Sequence, residues 1–307
     1  MIVTVVGPRS ATVLALLAPV VGDSSDGSVR EWAGGQRHDD DIVVALGGAD
    51  PTVVETLVAA ASAVIVPADD AVLMAIAMSG PAAVVTVGLT QAADVQATAV
   101  DARATGTALT IALATATFET TTALLGEHQL VVLLAAVAAA GQLGVDARTA
   151  AASMAAVESP EPRVMQARRG PSGALIVNDA AGATSLSTAA SLKDLALFAV
   201  DGGRSVAVLG SVDSDPDDAL DDHDRLGRLV VRLNIARLVV VGHAARHIHV
   251  AAGLEGSWDG ESVLVDTPEQ AYDLLSGTLD ENDIVLVKSS ASAGLGPLGD
   301  RLGGIGE

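Results

Sequence analysis

The sequence predicts two α/β domains, each built on a largely parallel sheet. Short β-branched runs alternate with Ala- and Leu-rich stretches almost throughout, the pattern that parallel strands with crossover helices impose. Near the middle the segment AVESPEPRVMQARRGPSG, residues 156–173, breaks the alternation with proline, glycine and a changed charge pattern. It reads as the connection between domains at 1–160 and 161–307. A chain of 307 residues, half of them hydrophobic, has room for a sizeable core in each.

The first expected strand is Val3–Val6. It runs into Gly7, a polar turn and an apolar helix-like stretch ending near residue 22. Strand, glycine, turn and helix form the layout of a phosphate-binding loop, whose consensus closes on Gly-Lys-Thr or Gly-Lys-Ser. Here the corresponding residues are Ser10, Ala11 and Thr12. Further strands are expected at Ile42–Leu46, Ala63–Val66 and Ala83–Val87, then a hairpin or edge pair at Asp94–Asp101 and Ala108–Leu113. An Ala-rich helix covers about Leu130 to Gly141. The apolar run 130–145 around it is shorter than the roughly 20 residues that cross a bilayer, and Gln142 interrupts it, so a buried helix is expected.

Beyond the connection comes a repeating series: ALIVND, SVAVLG, RLVVVG, SVLVD and DIVLVK, each followed by a helical stretch. Five such strands make a small doubly wound domain, with its ligand edge at their carboxyl ends. That edge holds Asn178 and Asp179, Gly210 and Ser211, Gly242 and His243, and Lys288 and Ser289.

Charge and composition narrow the function. Seventeen basic residues face 38 acidic ones, a net charge of −21, which repels nucleic acid and anionic lipid. The larger share of that acidity is expected to reflect a GC-rich or salt-adapted genome rather than function. Cysteine is absent, which excludes disulfides, thiolate catalysis and cysteine-bound zinc. The opening MIVTVVGPRS carries no basic residues ahead of its apolar run, so a cytoplasmic protein without a secretory leader is expected.

Taken in order, these pieces resemble the Mur ligases, a family that joins amino acids or D-Ala-D-Ala to the peptidoglycan precursor with ATP, and among them the D-alanyl-D-alanine-adding branch. LLGEHQLVVLLAAVAAAGQLGV is similar to the family's glycine-x-histidine-asparagine helix through Gly126 and His128. VIVPADDAVLMAIA resembles its asparagine-alanine-aspartate-aspartate stretch through Ala68, Asp69 and Asp70. IVNDAAGATSLSTAASLKDLA sits where the family has an aspartate-containing loop, with Asp179. VAVLGSVDS and its downstream His223 resemble the glycine-aspartate loop. DIVLVKSSASAGL is similar to the terminal lysine-glycine-serine motif through Lys288, Ser290, Ser292 and Gly294.

The departures fall on the chemistry that the resemblance implies. Phosphoryl transfer to a carboxylate needs cations and metal at the phosphates, because positioning and neutralising charge is nearly all the protein contributes. Ala11 stands at the loop lysine, Ala45 at the metal-binding glutamate, Gln129 at the histidine's following asparagine and Val132 at the next. Ala181 and Gly182 replace a tyrosine-asparagine pair, and Ala291 an arginine. Residues 1–192 contain no lysine, the two in the chain being Lys193 and Lys288. Arg9 is near the loop, but a planar guanidinium does not simply replace an ammonium there. The resemblance also implies a member without the family's N-terminal UDP-sugar-binding domain and shortened between Ala45 and Ala68.

Other patterns weigh towards structure. Gly7, Thr12, His128 and Asp179 are the vestigial nucleotide-binding candidates, and Lys288, Ser290 and His223 the candidate cleft residues. Thr12 and the turn amides could still cradle an anion, or the turn could be inherited structure alone. DSDPDDALDDHD, residues 213–224, fails as a calcium loop: its sixth position is Asp218, its twelfth Asp224, and Pro216 intrudes. It suits a helix start with Ser214 or Asp215 as cap and Pro216 at the first position. His243 and His247, four apart, with His249 nearby, lack an acidic third ligand at a recognisable offset. Asp179 and Lys288 suit a site, an interdomain salt bridge or strand-end caps equally.

The expectation is therefore a non-catalytic Mur-ligase-like protein without cofactor. It would act on a protein partner, such as one of cell-wall synthesis, and not on nucleic acid or by spanning a membrane. The alternative is an ATP- and Mg²⁺-dependent amide ligase that retains or borrows its site, and a third reading is an unrelated small ligand between the domains.

Overall fold

The computed structural model describes residues 2–21, 28–32, 41–158, 160–200, 202–255 and 258–306. The chain divides into two compact units, Met1–Asp101 with Gly106–Glu161, and Ala102–Thr105 with Pro162–Glu307.

The first unit runs β1 (Ile2–Val6), α1 (Ser10–Val21), β2 (Ser28–Glu31), β3 (Ile42–Ala45), α2 (Pro51–Val58), β4 (Ala63–Pro67), α3 (Ala71–Ser79) and β5 (Ala83–Gly88). It continues through β6 (Val95–Arg103), β7 (Gly106–Leu113), β8 (Thr117–Thr122), α4 (Glu127–Gln142) and α5 (Ala147–Met154). The strands form one sheet in the order β2-β1-β3-β4-β5-β6-β7-β8. Pairing is parallel from β2 through β5 to β6, and antiparallel between β7 and β8.

Both faces of the parallel part are covered, and successive residues divide between them. Val3, Val5, Ile42 and Val44 pack with Leu16 of α1, Leu133 and Leu134 of α4, and Met154 of α5. Val6, Val43, Ala45, Val64 and Val66 pack with Leu57 of α2 and Ile76 of α3. This is why the inner strands read as unbroken apolar runs rather than alternating ones. Asp50 accepts a hydrogen bond from Thr52 N at 2.8 Å ahead of Pro51 and caps α2. Asp70 accepts from Val72 N and Leu73 N and caps α3. Such caps contribute about 1 kcal/mol each.

Three features depart from the sequence expectation. The Ala-rich helix begins at Glu127, three residues early, and so takes in His128 and Gln129. The strand β8, TFETTT, was not expected, because it buries little beyond Phe118 and Thr122. The short β2, SVRE, has no apolar run, and Arg30 holds it by bonding Thr4 Oγ1 and Asp41 Oδ2, both at 3.0 Å.

The second unit runs β9 (Gln166–Arg169), β10 (Leu175–Asn178), α6 (Ser185–Phe198), β11 (Arg204–Leu209), α7 (Ala219–Arg232) and β12 (Arg237–Val241). After them come α8 (Arg246–Leu254), β13 (Glu261–Val265), α9 (Pro268–Ser276), β14 (Asp283–Lys288) and α10 (Gly296–Leu302). The sheet order is β13-β12-β11-β14-β10-β9, parallel except for β9 against β10. The fold is therefore α/β in both units, with the expected five parallel strands in the second.

Two local expectations are corrected here. The proline-rich segment 156–173 is not all connection, since it contains β9. That strand is an arginine-bearing edge, and charge at an edge discourages further pairing. The acidic stretch starts its helix later than expected: Asp215 O accepts from Asp218 N and Ala219 N in a turn, and α7 begins at Ala219. Ser214 Oγ instead donates to Asp222 Oδ2 at 2.6 Å, which holds the Asp222 carboxyl below its usual range.

Helix α7 buries His223, Leu226, Gly227 and Val230, spaced three and four apart as one helical face. At Gly227 the chain of α8 comes so close that a Cβ would strike the Ile248 carbonyl and lie 2.8 Å from Ala251 Cβ. Alanine there gains about 1 kcal/mol of helix propensity, while forcing apart a packed backbone costs about 1–3 kcal/mol. The obstacle is backbone rather than a movable side chain, so the second effect wins. Gly227→Ala is expected to lower the midpoint of thermal unfolding, and an unchanged or raised midpoint would refute the close packing.

Candidate functional site

The loop between β1 and α1 is shaped by two residues with positive φ. Gly7, at +112°, has no room for a side chain: a Cβ would lie 3.0 Å from Leu46 O and 3.2 Å from Ala49 Cβ. Arg9, at +72°, is a non-glycine residue in the left-handed region, a strained conformation worth noting at a loop. Its carbonyl accepts from Thr12 N at 3.0 Å and Val13 N at 3.3 Å, starting α1.

The hydroxyls of this loop are engaged by carboxylates. The buried Ser10 donates to Glu31 Oε1 at 2.5 Å. Glu31 reaches it because β2 pairs in register with β1, Glu31 lying opposite Val5. Thr12 is fully buried, and its hydroxyl hydrogen-bonds the carboxylate of Glu161, the last residue of the first unit. Burial pushes the Glu161 carboxyl up and the charge of Glu31 adds to that, while Arg9 and the Thr12 bond oppose it. Arg9 is thus the neighbouring cation that favours the ionised form.

Helix α4, which packs on α1, starts after Gly126 with His128 in its first turn. Gln129 is 1 % exposed, and neither atom of its amide has a hydrogen-bond partner among the described residues. Ala45 ends β3 and is fully buried. A separate groove of about 630 Å³ crosses β6, β7 and β8 beside α5, between Ala99, Leu109, Thr121 and Ala152, and shares no residue with the loop.

In the second unit Asp179 and Lys288 meet each other, so of the three readings open to them the interdomain bridge is excluded. Lys288 Nζ donates to Asp179 Oδ2 at 2.7 Å, to Gly182 O at 3.0 Å and to Asp179 O at 3.4 Å. Three donors and three acceptors satisfy the ammonium. Ser191 Oγ donates to Asp179 Oδ2 at 2.7 Å and Met165 N to Oδ1 at 3.1 Å. The two side chains are 5 % and 6 % exposed, so the pair is a buried tie between β10 and β14.

Ser290 is also buried. Its Oγ lies 3.0 Å from Ser292 Oγ and accepts from Ala293 N, capping a short turn. His223 Nε2 accepts from Val212 N at 3.3 Å, which puts the proton of the neutral ring on Nδ1. Burial, then the neighbouring His247, hold its pKa below the usual histidine value against the pull of Asp222. His249 Nδ1 lies 2.6 Å from Ser262 Oγ. Among the described residues no three His, Asp or Glu side chains gather as a metal-binding group, and no helix is long and apolar enough to cross a membrane.

Gly7, Thr12 and His128 thus lie in the first unit, and Asp179, His223, Lys288 and Ser290 in the second. Sequence reasoning missed Glu31 and Glu161. No motif marks them, because one comes from an edge strand and the other from the far end of the unit.

Residues 163–291 match the family described as Mur ligase, glutamate ligase domain. Over 194 residues the chain is 37 % identical to the UDP-N-acetylmuramoyl-tripeptide--D-alanyl-D-alanine ligase of Mycobacterium leprae, covering 59 % of this chain and 38 % of that protein. Residues 163–291 thus carry a Mur ligase domain. The enzyme of the same name from Mycobacterium tuberculosis is 37 % identical over 193 residues, with 58 % and 38 % covered. The chain therefore spans well under half the length of these Mur ligases. In fold it is similar to MurF from Acinetobacter baumannii, with TM-score 0.74 at 17 % identity over 98 % of this chain and 76 % of that one. MurF from Thermotoga maritima in complex with ADP gives TM-score 0.74 at 16 % identity, with 97 % and 78 % covered.

Two measurements probe the side chains that this chain has buried. Lys288→Met strands a buried carboxylate and is expected to cost about 3–5 kcal/mol in urea unfolding. Combining it with Asp179→Leu should recover much of that loss, since an apolar pair can replace a buried ion pair. Gln129→Met removes a buried amide without partners and is expected to stabilise by about 1–3 kcal/mol. A loss of stability instead would mean the amide is hydrogen-bonded in solution.

Proposed function

We propose that this chain is a non-catalytic Mur ligase family member that acts by binding a protein of cell-wall precursor synthesis. The observation that carries the proposal is the charge at the loop after β1. Where a phosphate-binding loop has its lysine the chain has Ala11, and no lysine occurs anywhere in residues 1–192. The Ser10 and Thr12 hydroxyls meet carboxylates instead. Transfer of a phosphoryl group depends on cations and metal that neutralise the oxygens, and a site carrying anions raises that barrier. The residues present do not fit ATP and Mg²⁺, so no catalytic step is assigned to them.

The partner class follows from the relatives, whose names place them at the muramoyl-peptide precursor. A protein that keeps the fold without the charges suits a role at the surface of that machinery, against an intact ligase of the family or a membrane-associated scaffold. This step is an analogy of fold and descent.

One observation favours the alternative of an ATP-dependent amide ligase: the strand–glycine–helix geometry, with Gly7 and Thr12 in place, survives intact. Calorimetric titration with ATP and Mg²⁺, with ADP as control, separates the two. No heat and no thermal stabilisation at millimolar nucleotide is the expected result, since a ligand that prefers the native state must stabilise it. Binding in the micromolar range would overturn the non-catalytic reading.

A further inference from the structure

We propose that the loop after β1 is held shut by the chain's own carboxylates, with Glu31 on the Ser10 hydroxyl and Glu161 on the Thr12 hydroxyl standing in for an external anion. The inference rests on reading this loop as a phosphate loop by descent, and it concerns what now fills it.

Each hydroxyl has a single proton to donate. Ser10 gives its proton to Glu31 Oε1 at 2.5 Å, and Thr12 is bonded to Glu161, so neither is left for a phosphate oxygen. The start of a helix attracts negative charge through its dipole and free amides, and α1 is twelve residues long. Two carboxylates converge on that end although they repel one another, Glu31 opposing the ionisation of Glu161. Arg9 offsets part of this charge from the same loop.

Both carboxylates are positioned by structure rather than by chance. Glu31 is set by the β1–β2 register, with the neighbouring Arg30 pinned to Thr4 and Asp41. Thr12 is fully buried and Glu161, the last residue of the unit, is half-buried. An alanine at position 11 puts no ammonium between the two acids. The loop is therefore closed twice over, by occupied donors and by like charge facing any phosphate.

The test compares binding of inorganic pyrophosphate and of ADP by calorimetry, at low ionic strength, to the wild type, Glu31→Gln, Glu161→Gln and the double variant. Wild type is expected to bind neither at millimolar concentration. The double variant is expected to bind pyrophosphate at least about tenfold tighter, which is about 1.4 kcal/mol, and Arg9→Ala in that background should remove the gain. Glu31→Ala/Glu161→Ala must show the same gain, which guards against an effect of the new amides. Glu55→Gln/Glu119→Gln, which removes two exposed charges of the same unit, must stay at the wild-type level. Circular dichroism and thermal unfolding check that each variant is folded.

A folded double variant that binds no tighter than wild type overturns the closure and leaves the non-catalytic reading standing. A wild type that binds ADP, with affinity unchanged in the variants, overturns both. If the wild type binds and the double variant binds tighter, the carboxylates act as a brake and the non-catalytic reading alone falls.

Discussion

In both units parallel strands lie between helices on each face, and this double burial constrains everything else in the chain. Strands such as IVVA at 42–45 and SVAVL at 205–209 are buried throughout, and hydrogen-bonded ladders satisfy their backbone groups. Side chains with charge have no place along such strands, because burying an unpaired charge costs far more than a packed apolar contact returns. Polar chemistry is therefore confined to the strand ends and the turns that follow them. Those ends are where Ser10, Thr12, Asp179, Lys288 and Ser290 are found.

The two units use their strand ends in opposite ways. In the second, opposite charges meet: Lys288 and Asp179 satisfy each other, with Ser191, Gly182 and Met165 completing their hydrogen bonds. Neither charge of the pair is left without an opposite partner. In the first, like charges meet: two carboxylates share the beginning of α1 with one nearby guanidinium. Arg9 keeps its left-handed backbone conformation in that loop.

Packing and phosphoryl chemistry make different demands on a sequence. The sheets and helices depend on apolar patterning, which tolerates loss of any particular polar side chain at a loop. Phosphoryl chemistry depends on a few cations at set positions, and substitution of one removes most of the effect. The chain is similar to MurF in fold at TM-score 0.74 with 17 % identity, since packing requires a kind of residue rather than a particular one.

From the sequence alone the α/β class, the five parallel strands of the second unit and the loop after β1 were legible, because apolar periodicity and turn residues are local signals. Local signals also gave the absence of lysine from residues 1–192. Elements that bury little, such as SVRE, QARR and TFETTT, were not legible: their pairing comes from the neighbouring strand and not from their own composition. Nor could residue types show that Asp179 and Lys288, 109 positions apart, close on each other. Likewise only the tertiary structure decided that Glu31 and Glu161 face the loop. The sequence by itself determined which charges the chain has and where apolar faces must lie. Which charges meet was decided by strand register and helix packing, because those fix distances between residues that the chain order leaves far apart.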